Sequence, residues 1–146
     1  NVECHKKNTA PEILAQVNRL GLKWGAFVHG SGTGGTIEGV RQFCFENLPR
    51  TKVVMTVPAE SPHGIQGIGD GRDFLASPDD MDGVITIKTN DAIIRAKQFA
   101  KDTGLLVGIS SGANILAAEE YLNKNDINGI IVTMLCDRGE RYMSIY

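Results

Sequence analysis

The segment Gly30-Ser31-Gly32-Thr33-Gly34-Gly35-Thr36 holds the residues best suited to chemistry in this chain of 146 residues. It follows a short apolar run, Trp24 to Val28, and opens onto a helical pattern from Ile37 to Phe45. Strand, glycine-rich turn and helix start, in that order, present backbone N–H groups to an anion, and the helix dipole adds partial positive charge. Glycines let the backbone approach closely, and the hydroxyls of Thr33 and Thr36 add donors. The chemistry implied is the holding of a phosphate group. Thr36 stands where a P-loop needs lysine, so that site is not expected. The pattern G-x-G-x-x-G fits residues 30–35 letter for letter, and Glu60 lies near where a dinucleotide site places its ribose-binding acid. A nucleotide-binding half that takes NAD therefore stays open, as does a turn that only joins strand to helix.

A second segment, Leu105-Leu106-Val107-Gly108-Ile109-Ser110-Ser111-Gly112-Ala113-Asn114, repeats the pattern of apolar strand, small-residue turn and helix start. Between the two lies His63-Gly64-Ile65-Gln66-Gly67-Ile68-Gly69; Asn8-Thr9-Ala10-Pro11-Glu12-Ile13 precedes them, and Asp137-Arg138-Gly139-Glu140-Arg141-Tyr142-Met143-Ser144 follows. In this order and spacing the motifs closely resemble the cysteine synthase family of pyridoxal-phosphate enzymes, the O-acetylserine sulfhydrylases with cystathionine β-synthase as a close relative. The resemblance covers essentially the whole chain. Arg138 replaces the serine of the family's near-terminal Asp-Ser-Gly-Glu-Arg-Tyr motif.

That resemblance implies a three-layer α/β domain with a mostly parallel sheet, the large C-terminal domain of the tryptophan synthase β-like, fold type II enzymes. It implies pyridoxal 5'-phosphate as cofactor. Gly32, Thr33, Gly34, Gly35 and Thr36 would hold the phosphate, and Ser110 would hydrogen-bond the pyridine nitrogen. Gly67 and Gly69, with Gln66, would line the cofactor face. Ser110 or Ser111 could equally cap the next helix. Asp137 should stand near the ring edge or anchor Arg138 or Arg141; His63 reads as loop surface.

The family's chain is about twice this long, as in many two-domain enzymes. Its first half carries the Schiff-base lysine and a Ser/Thr-Gly-Asn loop for the substrate carboxylate. Neither motif occurs here, and most of the eight lysines read as solvated surface. The expectation is therefore a C-terminal half, one cofactor-cradling domain over residues 1–146, with no catalytic residue of its own and inactive alone. The parent would make L-cysteine from O-acetylserine and sulfide, or act as a cystathionine β-synthase-like or other β-substituted alanine synthase. An amino-acid substrate, a homodimer, and docking of the serine acetyltransferase C-terminal tail are further implications. A domain that binds phosphate or a partner without chemistry is the alternative. A half should also expose apolar surface where its other half packs.

Composition agrees with an ordinary globular domain: 42% hydrophobic and 22% charged residues leave room for a core. A net charge of −2 argues against nucleic acid as the main partner. No apolar run approaches a membrane span. Three widely spaced cysteines read as reduced thiols of a cytoplasmic protein, with Cys136 in the core. No C-x-x-C or H-x-x-x-H spacing supports a metal around Cys4, His5, His29 or His63.

The elements that must position these residues follow from periodicity. Thr9-Ala10-Pro11-Glu12 resembles a capping box, and Ile13, Leu14, Val17 and Leu20 then share one helical face up to Gly21. Strands are expected at Trp24–Val28, Lys52–Val57, Val84–Ile87, Leu105–Val107 and Gly129–Leu135. Thr89 should cap a helix ending at Gly104, and another helix should run from about Gly112 to Leu122. Pro58 to Asp82 forms a long Gly/Pro/Asp-rich loop, a length that usually signals function. Alternating strands and helices predict a parallel sheet with ligand at the carboxyl ends of the strands.

Overall fold

A computed structural model describes residues 1–69 and 75–145. Four parallel strands, β1 (Trp24–Gly30), β2 (Lys52–Pro58), β3 (Gly83–Ile87) and β4 (Ile130–Val132), form one sheet in the order β3-β2-β1-β4. Every residue of β1 is buried, because it is central and covered on both faces. Its apolar residues alternate between two cores. Val28 joins Val54, Ile85 and Ile109 on one face; Phe27 joins Val53, Met55, Ile37 and Val40 on the other.

Helices cover both faces, as expected. On the first, α5 (Ile109–Lys124) lies across all four strands, with α4 (Thr89–Thr103) packed on it. On the second lie α3 (Gly35–Asn47) and an N-terminal helix. That helix comprises α1 (Val2–Cys4), a π-helical stretch His5–Thr9, and α2 (Ala10–Arg19). No helix among the described residues is long and apolar enough to cross a membrane.

Several expected boundaries move, for physical reasons. Thr9 is not a cap: its backbone is helical and its side chain caps nothing. The helix passes through it in a wide turn, with Ala10 N–H bonded to His5 O. That widened turn sits immediately before Pro11, which has no N–H to give and would crowd a regular helix. Leu105–Val107 is not a sheet strand. It makes an isolated antiparallel bridge, Val107 to Arg138, and leads straight into α5. That helix begins at Ile109 with Gly108 at its cap position, so neither Ser110 nor Ser111 caps it. Ser111 Oγ instead accepts the Cys136 N–H at 3.0 Å. The last strand is shorter than expected and half-buried, since β4 is an edge strand. Thr89 is the first residue of α4 rather than its cap. Of the long loop, residues 70–74 lie outside the described residues; Pro78–Asp80 forms a short 3₁₀ turn with Ser77 as its cap.

Candidate cofactor site

The glycine loop leaves the carboxyl end of β1 and enters α3 through Gly34, whose φ of +87° only glycine adopts without strain. Three of the loop's carbonyls are spoken for. Ser31 O accepts Gly69 N–H at 2.7 Å, Thr33 O accepts Leu75 N–H at 3.0 Å, and Gly34 O accepts Glu38 N–H at 3.0 Å, the first bond of the helix. Its amides are not: the N–H groups of Gly32 to Ile37 have no acceptor among the described residues. Six consecutive donors at a helix N-terminus form an anion site.

These amides border a cavity of about 400 Å³. Gly32, Thr33, Gly34, Gly35 and Thr36 line it from one side, Gln66 and Gly67 from a second, Ser110 from the start of α5, and Asp137 and Tyr142 from the C-terminal segment. Of the residues expected to touch the cofactor, Gly69 lies outside the lining; its amide braces the loop through Ser31. Thr36 Oγ1 lies 3.2 Å from His5 Nε2, whose Nδ1 meets Thr9 Oγ1 at 2.9 Å, so the π-turn buttresses the loop. Ser110 is buried and its hydroxyl lies against the Cys136 thiol. Cys136 is not in the core. It is exposed at the cavity wall, and burial of the thiol followed by the Asp137 charge raises its pKa.

Asp137 anchors neither Arg138 nor Arg141. Its Oδ2 accepts the Tyr142 hydroxyl at 2.6 Å, which is the main reason the Tyr142 phenol titrates above its ordinary value. Asp137 Oδ1 is buried without a partner. The Asp137 carbonyl accepts Gly108 N–H at 2.9 Å, and a Cβ on Gly108 would run into the Asp137 carboxylate, so any larger residue there must displace that side chain from Tyr142. Glu60 has a structural task. Its Oε1 accepts the Thr89 N–H at 2.7 Å at the start of α4, while Thr89 Oγ1 accepts Gly64 N–H at 2.9 Å. A ribose-binding acid would have to leave that bond.

Two residues that sequence reasoning passed over complete the wall. Asn114, fully buried in α5, accepts Gly30 N–H through Oδ1 at 2.8 Å and donates through Nδ2 to Met134 O at 3.0 Å. The same Nδ2 lies 3.2 Å from His29 Nδ1. The signal was present: a polar residue amid Ala113 and Ile115, and a histidine beside Val28 in an apolar strand. Burial, with a smaller contribution from His5, lowers the His29 pKa to about 4, so the ring is neutral near pH 7. The unfolded chain takes up a proton near pH 6.5, whereas the folded chain resists it until about pH 4. Stability should therefore fall as pH drops through that window and level off below it, with a slope of at most about 1.4 kcal/mol per pH unit from this group. Denaturant unfolding of the wild type and His29→Gln across pH 4–7 checks this; equal slopes would refute it.

A larger cavity, about 670 Å³, lies at the opposite edge of the sheet, among Leu14, Trp24, Asn47, Leu48 and Asn125. There α3 and α5 end, so their dipoles present partial negative charge, while Lys23, Arg50 and Lys52 also line it. Among the described residues no lysine lines the first cavity. No group of three or more His, Cys, Asp or Glu among the described residues could hold a metal ion.

Residues 1–137 match the family described as pyridoxal-phosphate dependent enzyme. Cysteine synthase B of Campylobacter jejuni is 44% identical over 99% of this chain and 50% of its own length. A hydrogen sulfide-producing enzyme of Fusobacterium nucleatum superposes with a TM-score of 0.89 at 36% identity, covering 99% of this chain and 46% of that one. O-acetylserine sulfhydrylase isoform 3 of Entamoeba histolytica gives 0.85 at 36% identity, over 100% of this chain and 46% of that one. The chain thus spans about half the length of the curated relatives it matches.

Proposed function

Because the chain belongs to the pyridoxal-phosphate dependent enzyme family, we propose that it is the cofactor-cradling C-terminal part of a β-replacement enzyme forming L-cysteine from O-acetylserine and sulfide. One observation carries the reading: the six unpartnered amides of Gly32 to Ile37 border the same cavity as Ser110. The cradle fits the cofactor chemically. The amides would hold its phosphate, with Thr33 and Thr36 hydroxyls beside them, and Gly67 and Gly69 would shape the facing loop. Bound there, pyridoxal phosphate supplies an electron sink for substitution at the β-carbon of an amino acid. The Ser110 hydroxyl would meet the pyridine nitrogen. Being neutral, it does not hold a proton on that nitrogen as a carboxylate would, which suits β-replacement over transamination.

The Schiff-base lysine and the substrate carboxylate loop would come from a part of the enzyme outside residues 1–146. In this reading the parent is a cytoplasmic homodimer, and exposed Phe45 and Ile94 offer apolar surface for its other parts. Docking of the serine acetyltransferase tail belongs to that complete cleft. A cystathionine β-synthase-like activity would use the same cradle with a different nucleophile. A second reading, binding without chemistry, draws on the absence of any lysine from the cavity lining.

Titration of the chain with pyridoxal 5'-phosphate and with pyridoxal, followed by absorbance and fluorescence, tests the proposal. Saturable binding of the phosphate form, at least about tenfold tighter than pyridoxal and displaced by inorganic phosphate, is expected from charge-assisted amide contacts. Equal affinity for both, or binding of NAD in place of either, would overturn it.

A further inference from the structure

Asn114 and His29 are buried polar groups that the proposed chemistry leaves without a task. Asn114 joins segments far apart in the chain: Gly30, at the end of β1 where the glycine loop starts, and Met134, which leads into Cys136 and Asp137. Ser110 lies in the first turn of its own helix. Three walls of the cavity therefore meet at one amide. The orientation of that amide is set by chemistry. Gly30 N–H can only donate, so Oδ1 faces it; Met134 O can only accept, so Nδ2 faces that. Nδ2 then has one proton left and two nearby acceptors, His29 Nδ1 at 3.2 Å and Cys136 Sγ at 3.7 Å; the shorter contact, to His29 Nδ1, places the imidazole proton on Nε2. His29 Nε2 has no hydrogen-bond partner among the described residues, and the His29 ring lines the cavity.

We propose that Asn114 is the positioning residue of this cavity, holding the glycine loop to the C-terminal wall and fixing His29 as an Nε2–H donor for the phosphate-bearing ligand. The assignment rests on the pyridoxal-phosphate reading for the identity of the ligand, and on geometry alone for the tautomer.

Asn114→Asp separates the two roles. Its carboxylate still accepts Gly30 N–H but has no proton to give, so the His29 proton should move to Nδ1. Long-range proton–nitrogen spectra of the chain labelled in histidine, with His29→Gln used to assign the resonance, read the tautomer directly. The expected result is an Nε2–H ring in the wild type, a shift of the proton to Nδ1 in Asn114→Asp, and pyridoxal phosphate binding weakened about tenfold in Asn114→Asp and in His29→Phe. An unaltered tautomer in a folded Asn114→Asp chain, or undiminished affinity in both variants, would overturn the proposal. Should Asn114→Asp not fold, an Nδ1–H ring in the wild type or full affinity in His29→Phe would still overturn it, and the opposite results support it. A wild-type chain with the expected tautomer that takes up inorganic phosphate but not pyridoxal phosphate would support the role of Asn114 and overturn the cofactor reading instead.

Discussion

Replacing Gly112 by alanine should lower the unfolding free energy by about 2 kcal/mol, although alanine is the better helix former. Gly112 sits at the start of the second turn of α5, where it packs against α4. A Cβ there would run into the Ala92 carbonyl and stand 2.8 Å from Ala96 Cβ and 2.9 Å from Ala96 N. The first obstacle is backbone, so no rotamer change relieves it, and α4 must move off α5. Overpacking of this kind costs about 3 kcal/mol, offset by about 1 kcal/mol from helix propensity. Gly104 provides the comparison. It lies at φ +76° with nothing within 4 Å of a Cβ, so Gly104→Ala meets conformational strain alone and should lose about 1 kcal/mol. Urea unfolding with unchanged m-values would measure both. The reverse ranking would show that α4 and α5 are not held as closely as described. Because Ser110 opens the same helix, Gly112→Ala should also weaken pyridoxal phosphate binding.

Such close approaches explain which parts of the fold were legible in the sequence. The glycine loop was, because its requirements are local: an apolar strand, residues free of Cβ, and a helix start within seven positions. The parallel sheet was legible too, since β1 and β2 are continuous apolar runs separated by helical periodicity. Local signals failed where distant partners decide. Leu105–Val107 looks like a strand, but its neighbours are the C-terminal residues Asp137 and Arg138 rather than the sheet. Thr9-Ala10-Pro11-Glu12 has the letters of a helix start, yet the helix is already under way, and a π-turn absorbs the proline. Glu60 has the spacing of a nucleotide acid and serves α4 instead. Asn114 carries the same lesson in the site itself. Its polar character within an apolar helix could have marked it, but not its partners, one of which lies 84 residues away.

The cavity stands or falls with the backbone at Gly34, and Gly34→Ala should lower pyridoxal phosphate affinity at least about 100-fold, equivalent to about 2.7 kcal/mol. Two effects add. The φ of +87° costs an alanine about 1–2 kcal/mol relative to glycine. Independently, its Cβ would stand 2.7 Å from Ala76 N and 2.9 Å from Ala76 Cβ. The loop can escape only by rotating the peptides on either side, and those peptides carry the amides offered to the phosphate. Strain in the free protein and loss of donors in the complex thus have one cause. Gly67→Ala separates strain from collision. Its φ is +88°, nearly the same, but the nearest atom to a Cβ there is Ser110 Oγ at 4.0 Å, and its amide is not among the six. Gly67→Ala should therefore weaken binding by at most about tenfold, the limit reached when the free loop relaxes and the ligand must restore about 1.4 kcal/mol of strain. Affinities measured with pyridoxal phosphate and with inorganic phosphate distinguish the two variants further: Gly34→Ala should impair both ligands, Gly67→Ala chiefly the first. Gly34→Ala with wild-type affinity for phosphate would mean that the anion is held elsewhere, and the amide cradle would lose its function.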